Sequence, residues 1–514
     1  MYPSETSLIP VTVALARFVE NNGLFSMMGQ YPYWYLGVPF RFLTGPIIPL
    51  LQLFFHRTFP NVSLFSITIY IVLFGFLLSA IGWGFLVGKI QNSNFKIQIF
   101  GIGHLAFIIL LVLPWRLFSS LTLNEASITL ARNFLPWVLL AFWGNLKKGD
   151  MGDRGDWRKK VVAILALSTL LLVNTSILPI FLVGLTSLVL ASSFKEGRFR
   201  GITKRIKSSL SLILYSLLLV TLWYTPGYWI TVLANPSIGG ASGIKVIFRI
   251  LDLLKTSLPL VLAVITVYFT GKIKNRLTVF VLIWILTFGF LTLLRFIGDP
   301  DFWMDWTAWF YELEVGVALL LSNFILSIPG RLKTRNDKFQ MTNDQSNSKS
   351  FGIGNLLQGS KLRLTFIILI LMLPFYLTWR FHLVLGRPKL ISQDIPQGVQ
   401  SLNKLAQIAD QKSVFLSGST VFWANAIYDI YQLRGGRDQV AVHPNWDKGA
   451  FELREGKDPE ASLKWLNELN INYVLVHGPK SPEFYHDFRN INKWKYIGNV
   501  VWEDGGDVIY QIPK

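Results

Sequence analysis

An α-helical polytopic membrane protein with a C-terminal extracytoplasmic α/β domain is the fold class this sequence predicts. Three observations predict it. Apolar stretches recur between residues 62 and 385, the loops between them alternate between Lys/Arg-rich and nearly Lys/Arg-free, and the chain turns polar and mixed after Gly386. Of 514 residues, 52% are hydrophobic, which is too many for an ordinary soluble fold of this length.

Residues 1–60 read as a first outer loop. It holds an amphipathic helix, with Leu8, Val11, Val13, Leu15 and Phe18 around Arg17 and Glu20, followed by a re-entrant apolar segment. Residues 61–385 read as the transmembrane bundle. Its ten candidate spans are Val62–Val87, Gln98–Phe118, Arg132–Leu146, Val161–Val173, Leu178–Ser193, Ser209–Tyr224, Leu258–Thr270, Leu277–Ile297, Glu314–Ile328 and Leu362–Leu385. The fourth and fifth meet at Asn174-Thr175-Ser176 and could form one hairpin that never fully crosses.

Orientation follows from the loops. Basic residues gather at Lys89–Lys96, Lys147–Lys160, Lys195–Lys207, Lys272–Arg276 and Arg331–Lys361, which places these loops in the cytoplasm. The last is polar enough to read as a disordered linker. Ten spans then put Met1 and the domain at 386–514 outside the plasma (inner) membrane. In that domain, helices are expected at Gln397–Asp410 and Pro459–Leu469, the latter N-capped by Asp458. Strands are expected at Ser413–Leu416 and Asn472–Val476, and a hairpin joins Trp494–Trp502 to Asp507–Ile512 through Asp504-Gly505-Gly506.

Composition removes several functions. The net charge of +19 lies mostly in the cytoplasmic loops, so no nucleic-acid partner is implied; membrane lipids are. With no cysteine there is no thiolate nucleophile, disulfide or Cys-ligated metal. His443, His477 and His486 share the outer domain at no metal-ligand spacing.

The informative strings are Gly23-Leu24-Phe25, Tyr31-Pro32-Tyr33-Trp34-Tyr35-Leu36-Gly37-Val38-Pro39 and Gly45-Pro46-Ile47-Ile48-Pro49-Leu50. Together with a preceding acid and an amphipathic helix, they resemble the first outer loop of the GT-C membrane glycosyltransferases. Leu433-Arg434-Gly435-Gly436, His443-Pro444-Asn445-Trp446 and Tyr473-Val474-Leu475-Val476-His477-Gly478 resemble the region after the last helix in the bacterial branch named "membrane protein, 6-pyruvoyl-tetrahydropterin synthase-related". That name implies no pterin chemistry here, since such an enzyme needs a reactive Cys. The resemblance implies transfer of a sugar from a polyprenyl-phosphate donor to an envelope glycan or protein acceptor at the outer membrane face. In the family, the acid comes directly after a first helix. Glu5 stands at that place with no helix before it, so an eleventh span is expected upstream of Met1.

This chemistry needs a carboxylate for the acceptor hydroxyl, cations for the leaving phosphate and an apolar groove for the lipid. Glu5 is the first candidate for the carboxylate, against the plainer alternative of a solvated acid near a chain end. A rival cluster joins Asp299, Asp301, Asp305, Glu312 and Glu314 to Trp303, Trp306, Trp309 and Tyr311. Rings that stack on sugar faces beside hydroxyl acceptors suit a sugar site, and an interfacial aromatic belt explains the same residues. Asp301 is the second catalytic candidate; Asp299, Asp305, Trp303 and Trp306 would bind substrate. No cofactor is required, although Asp299 and Asp301 could hold a divalent cation. Arg116, Arg132 and Arg295, at outer helix ends, suit the phosphate or simple interfacial anchoring, and Glu125 would pair with Arg116 or Arg132. The alternatives to a transferase are a non-catalytic envelope scaffold of the same architecture and a lipid-linked sugar transporter.

Overall fold

The computed structural model describes residues 1–91, 102–146, 157–195, 198–199, 201–234, 257–269, 275–297, 309–323, 360–443 and 445–513. Among these, four helices are long and apolar enough to cross a membrane: Leu64–Gln91, Ala126–Leu146, Thr175–Ser193 and Arg276–Leu293. A bent pair, His104–Val112 and Pro114–Thr122, makes a fifth. The expected count of ten is therefore not confirmed among the described residues. Trp157–Val173 and Leu258–Phe269 are shorter apolar helices, and the expected linker at 331–361 lies largely outside the described residues.

Local sequence explains the departures. The second expected span is not straight, because Pro114 has no N–H to continue a helix and forces Leu113 into an extended conformation (φ −69°, ψ 123°). The chain bends there by 50°. The third span begins at Ala126 rather than Arg132, which carries Arg132 into the helix interior. Leu64–Gln91 packs against Ala126–Leu146 through Gly75 and Gly82. A Cβ at Gly82 would stand 2.7 Å from Trp137 and 2.9 Å from Pro136, so only glycine admits this approach. The junction at Asn174 is a true corner: its Oδ1 accepts from Ser176 N at 2.9 Å. Thr175–Ser193 beyond it has full crossing length, so the pair is not confined to a shallow hairpin.

The C-terminal domain, called the outer domain after the side of the membrane expected for it, is built on a four-stranded sheet. Val414–Phe415 runs parallel to Tyr473–His477, which is antiparallel to Asp507–Gln511, itself antiparallel to Asn499–Asp504. Every residue of the central strand Tyr473–His477 is buried. The hairpin turns at Gly505 and Gly506, both at positive φ (57° and 93°). Its first arm differs from expectation, since Trp494–Ile497 is a short helix and the strand begins at Asn499. Pro459–Glu468 is capped as expected, Asp458 accepting from Glu460 N at 3.0 Å.

The first outer loop is part of this domain. Gln30–Tyr31 pairs with Val38–Pro39, and the turn between them passes through positive φ at Tyr35, Leu36 and Gly37. Trp34 projects from that turn. Gln432 bridges to Val414 on one side and Trp34 on the other, so the loop extends the sheet edge. Trp34 is fully buried and donates from Nε1 to Asn425 Oδ1 at 2.8 Å. The chain at Gly435 lies so close that a Cβ would meet the Trp34 ring at 2.5 Å. The helix expected to be amphipathic, Ile9–Asn22, is buried on all sides from Ile9 to Ala16, packed between the helix Thr420–Ile427 and Leu64–Gln91. Its polar residue Arg17 reaches Asp429 at 2.7 Å.

Trp34→Ala should therefore unfasten the first loop from the sheet. The expected cost is about 3–5 kcal/mol, typical of a buried Trp truncation, read as a lowered melting temperature in detergent together with new protease cleavage between residues 23 and 46. Native-like melting would contradict this docking.

Candidate functional site

The N-terminal strand Tyr2–Pro3 pairs antiparallel with Ile391–Ser392, just past the last helix, and this pins Glu5 to the outer domain. The Glu5 carbonyl accepts from Trp423 Nε1 at 2.9 Å. Its carboxylate Oε1 accepts from Phe484 N at 2.9 Å and lies 3.1 Å from Ser419 Oγ. That hydroxyl has one hydrogen, and Glu483 Oε1 is closer, at 2.7 Å. Glu5 thus keeps the Phe484 amide as its one undivided donor. Gly398 lies against it, and a Cβ there would displace the carboxylate. Burial raises the pKa of Glu5 most; the Phe484 amide opposes this and the Glu483 charge adds to it, for a net rise. The carboxylate lines a cavity of 320 Å³ with Lys389, Ser392 and Pro482, at the level where the last helix ends.

Arg116 and Arg132 were expected at the membrane interface. They lie instead inside the bundle, 0% and 2% exposed, with guanidinium carbons 4.6 and 5.0 Å from the centroid of the Tyr311 ring. Glu314 caps the helix Pro114–Thr122, accepting from Trp115 N at 3.3 Å and Arg116 N at 2.9 Å, two amides that have no partner within the helix. Arg116 Nη2 donates to Ser79 Oγ at 2.9 Å and Asn133 Oδ1 at 3.4 Å. Arg132 Nε stands 3.9 Å from Glu312. The knot of two arginines and two glutamates balances in charge, which is what allows it to be buried. Glu312 and Glu314, expected among the acids of a sugar-facing loop, are 1% and 0% exposed.

Glu125 pairs with neither arginine. Arg437 of the outer domain takes it in a two-pronged contact, Nη2 to Oε1 and Nε to Oε2 at 3.0 Å, while Ser127 Oγ donates to Oε1 at 2.7 Å. Ser127 Oγ also accepts from Arg437 Nη2 at 2.7 Å and Asn174 Nδ2 at 2.8 Å. The Tyr35 hydroxyl accepts from Arg437 N at 2.9 Å and donates to Asp438 Oδ1 at 2.8 Å. First loop, outer domain and the start of the helix Ala126–Leu146 therefore meet at Arg437, Tyr35 at its backbone N–H and Glu125 and Ser127 at its guanidinium. Burial lowers the pKa of Arg437, but Glu125 outweighs burial and leaves it above the ordinary value. Sequence reading missed Arg437. Its signal was slight: a cation one residue past the string Leu433-Arg434-Gly435-Gly436.

Asp299, Asp301, Trp303, Asp305 and Trp306 lie outside the described residues, and Arg295 belongs to the helix Arg276–Ile297. Trp309 is buried in the bundle core. Among the described residues, no three His, Asp or Glu side chains are grouped to hold a metal ion.

The arrangement is a helical bundle that carries, at one end, a carboxylate in a cavity roofed by a small α/β domain. Solved structures share this fold. The archaeal oligosaccharyltransferase AglB from Archaeoglobus fulgidus, in complex with an inhibitory peptide and a dolichol-phosphate, matches with a TM-score of 0.53 at 13% identity, over 98% of this chain and 70% of that one. The apo form of the Archaeoglobus fulgidus enzyme matches at 0.55 and 12% identity, over 100% and 73%. ArnT from Cupriavidus metallidurans bound to undecaprenyl phosphate gives 0.42 at 13% identity, over 98% and 93%, too slight a likeness to carry an argument. The chain therefore shares its fold with the Archaeoglobus fulgidus oligosaccharyltransferase. No family model and no curated protein matches the sequence.

A raised carboxylate pKa has a stability signature. Between the ordinary value of 4.5 and its own raised value, the folded chain binds more protons at Glu5 than the unfolded chain, so stability falls as pH rises through that window. Glu5→Gln keeps the acceptor for Phe484 N without the charge. It should melt higher than the native chain at pH 7, and the gap should close as pH falls through the window. A gap that is absent or widens towards low pH would contradict the burial of this charge.

Proposed function

We propose that this chain is an integral membrane glycosyltransferase of GT-C type that moves a sugar from a polyprenyl-phosphate donor to an envelope glycan or protein acceptor on the outer face of the plasma membrane. The observation that carries the reading is the Glu5 carboxylate. It sits in a cavity where the bundle ends and the outer domain begins, in a fold shared with an enzyme whose structure holds a dolichol-phosphate. The nearer resemblance to the bacterial branch belongs to the same proposal and brings no pterin chemistry.

In this reading the acceptor oxygen attacks the sugar C1, the C1–O bond to phosphate breaks, and polyprenyl phosphate leaves with the electron pair. The acceptor proton passes to Glu5. A base whose pKa is raised towards working pH is a stronger proton acceptor while still ionised, and this is the setting burial gives Glu5. The leaving phosphate needs a cation that is free to meet it. Lys389 is exposed and lines the Glu5 cavity, so it joins Arg295 in that role. Arg116 and Arg132, buried beside Tyr311 with Nε and Nη1 of each outside any hydrogen bond, keep the same candidate role towards the phosphate. Asp301 remains the second catalytic candidate, with Asp299, Asp305, Trp303 and Trp306 as its substrate-facing neighbours and a divalent cation as a candidate ligand of the acids.

Vesicles reconstituted with the chain, a polyprenyl-phosphate sugar and an acceptor test the proposal. Glu5→Gln should slow transfer about 10²–10⁴-fold, the range for loss of a general base, with Asp301→Asn as the companion variant. Full transfer by both variants would remove these assignments. Movement of a fluorescent lipid carrier without transfer would favour the transporter, and neither activity would favour the scaffold.

A further inference from the structure

A cavity of 770 Å³ in the outer domain belongs to none of the chemistry above. Its walls contain no lysine or arginine, and they carry three carboxylates, Asp394, Asp504 and Asp507. That composition repels phosphates, nucleotides and acidic sugars. Aliphatic side chains are few, which disfavours a lipid. Two half-buried rings, Trp502 and Tyr428, face it beside the side-chain amides of Gln400 and Asn403. Rings cover the C–H faces of a pyranose, while amides and carboxylates serve its hydroxyls as donors and acceptors.

The floor is built rather than incidental. Asp507, 4% exposed, is held by His477, whose Nδ1 lies 2.8 Å from Oδ1. Burial would raise the Asp507 pKa, but the bond and charge of His477 outweigh it and keep the group a carboxylate. Ser401, 6% exposed, lines the same cavity, and its hydroxyl helps to hold the Asp507 carboxylate in place.

We infer that this cavity is a binding subsite for an uncharged oligosaccharide. Its position suggests which one. Tyr2 lines this cavity, Pro3 lines the Glu5 cavity, and Pro482 lines both, so the two adjoin across the N-terminal strand. A glycan seated here presents its end to Glu5 as the acceptor. The acceptor role rests on the transferase reading; the binding does not.

Saturation-transfer NMR on the detergent-solubilised full chain tests the binding, with chitotriose, mannotriose and isomaltotriose as probes and trigalacturonate as the anionic comparator. At least one uncharged trisaccharide should bind and trigalacturonate should not. Trp502→Ala should weaken that binding about tenfold, the scale of one aromatic contact, Trp502→Phe should restore part of it, and Asn403→Ala should weaken it severalfold. Failure of all three uncharged probes, native binding by both alanine variants, or preference for trigalacturonate would overturn the inference. Binding without sugar transfer would leave the subsite standing and count against the transferase; transfer without binding would do the reverse.

Discussion

Glu125 and Arg437 meet across the line that separates a membrane bundle from a water-facing domain, and the geometry of the mouth depends on that contact. Each side chain is largely withdrawn from water, 11% and 14% exposed. A buried charge is tolerated when its partner and its remaining hydrogen bonds are in place, and breaking one side costs about 3–5 kcal/mol. Ser127 bonds both side chains, Asn174 holds Ser127 in place, and Tyr35 accepts from the Arg437 backbone N–H. The pair thus sets how the outer domain sits on the helices, and with it where Glu5 stands.

A second constraint holds the opposite side of the mouth. Arg116, Arg132, Glu312 and Glu314 are buried around Tyr311, and Glu314 also closes the helix that begins at the Pro114 bend. The two ionic groups differ in kind. One joins two parts of the chain 312 residues apart; the other fixes three helices inside the bundle. Neither leaves Glu5 with a countercharge of its own, and this is why burial and the nearby Glu483 dominate its protonation.

Much of the architecture was legible in the chain. Hydropathy located the four long apolar helices, Asp458 marked a helix cap, and Gly505-Gly506 the hairpin, because each depends on residues a few positions apart. Glu5 was legible only through a family resemblance, since a lone acid near a chain end has no local signature. What escaped depends on distance in sequence. Nothing around Glu125 announces Arg437, and nothing around Trp34 announces the close approach of Gly435. The arginines were read as snorkelling for a related reason. Their partners Glu312 and Glu314 lie almost 200 residues away, and without them an interfacial position was the cheaper setting for a charge. The helix Ile9–Asn22 looked amphipathic because Arg17 and Glu20 face water, although its first half is enclosed by elements from both ends of the chain.

The central claim is that bundle and outer domain are locked together through Glu125 and Arg437. A double-mutant cycle of Glu125→Leu and Arg437→Leu, followed by denaturant unfolding in detergent, tests it most directly. The account predicts two strongly destabilised single variants and a double variant less damaged than their sum, with a coupling of about 1.5–3 kcal/mol. Additive losses, or single variants as stable as the native chain, would mean that the domain is seated by something else.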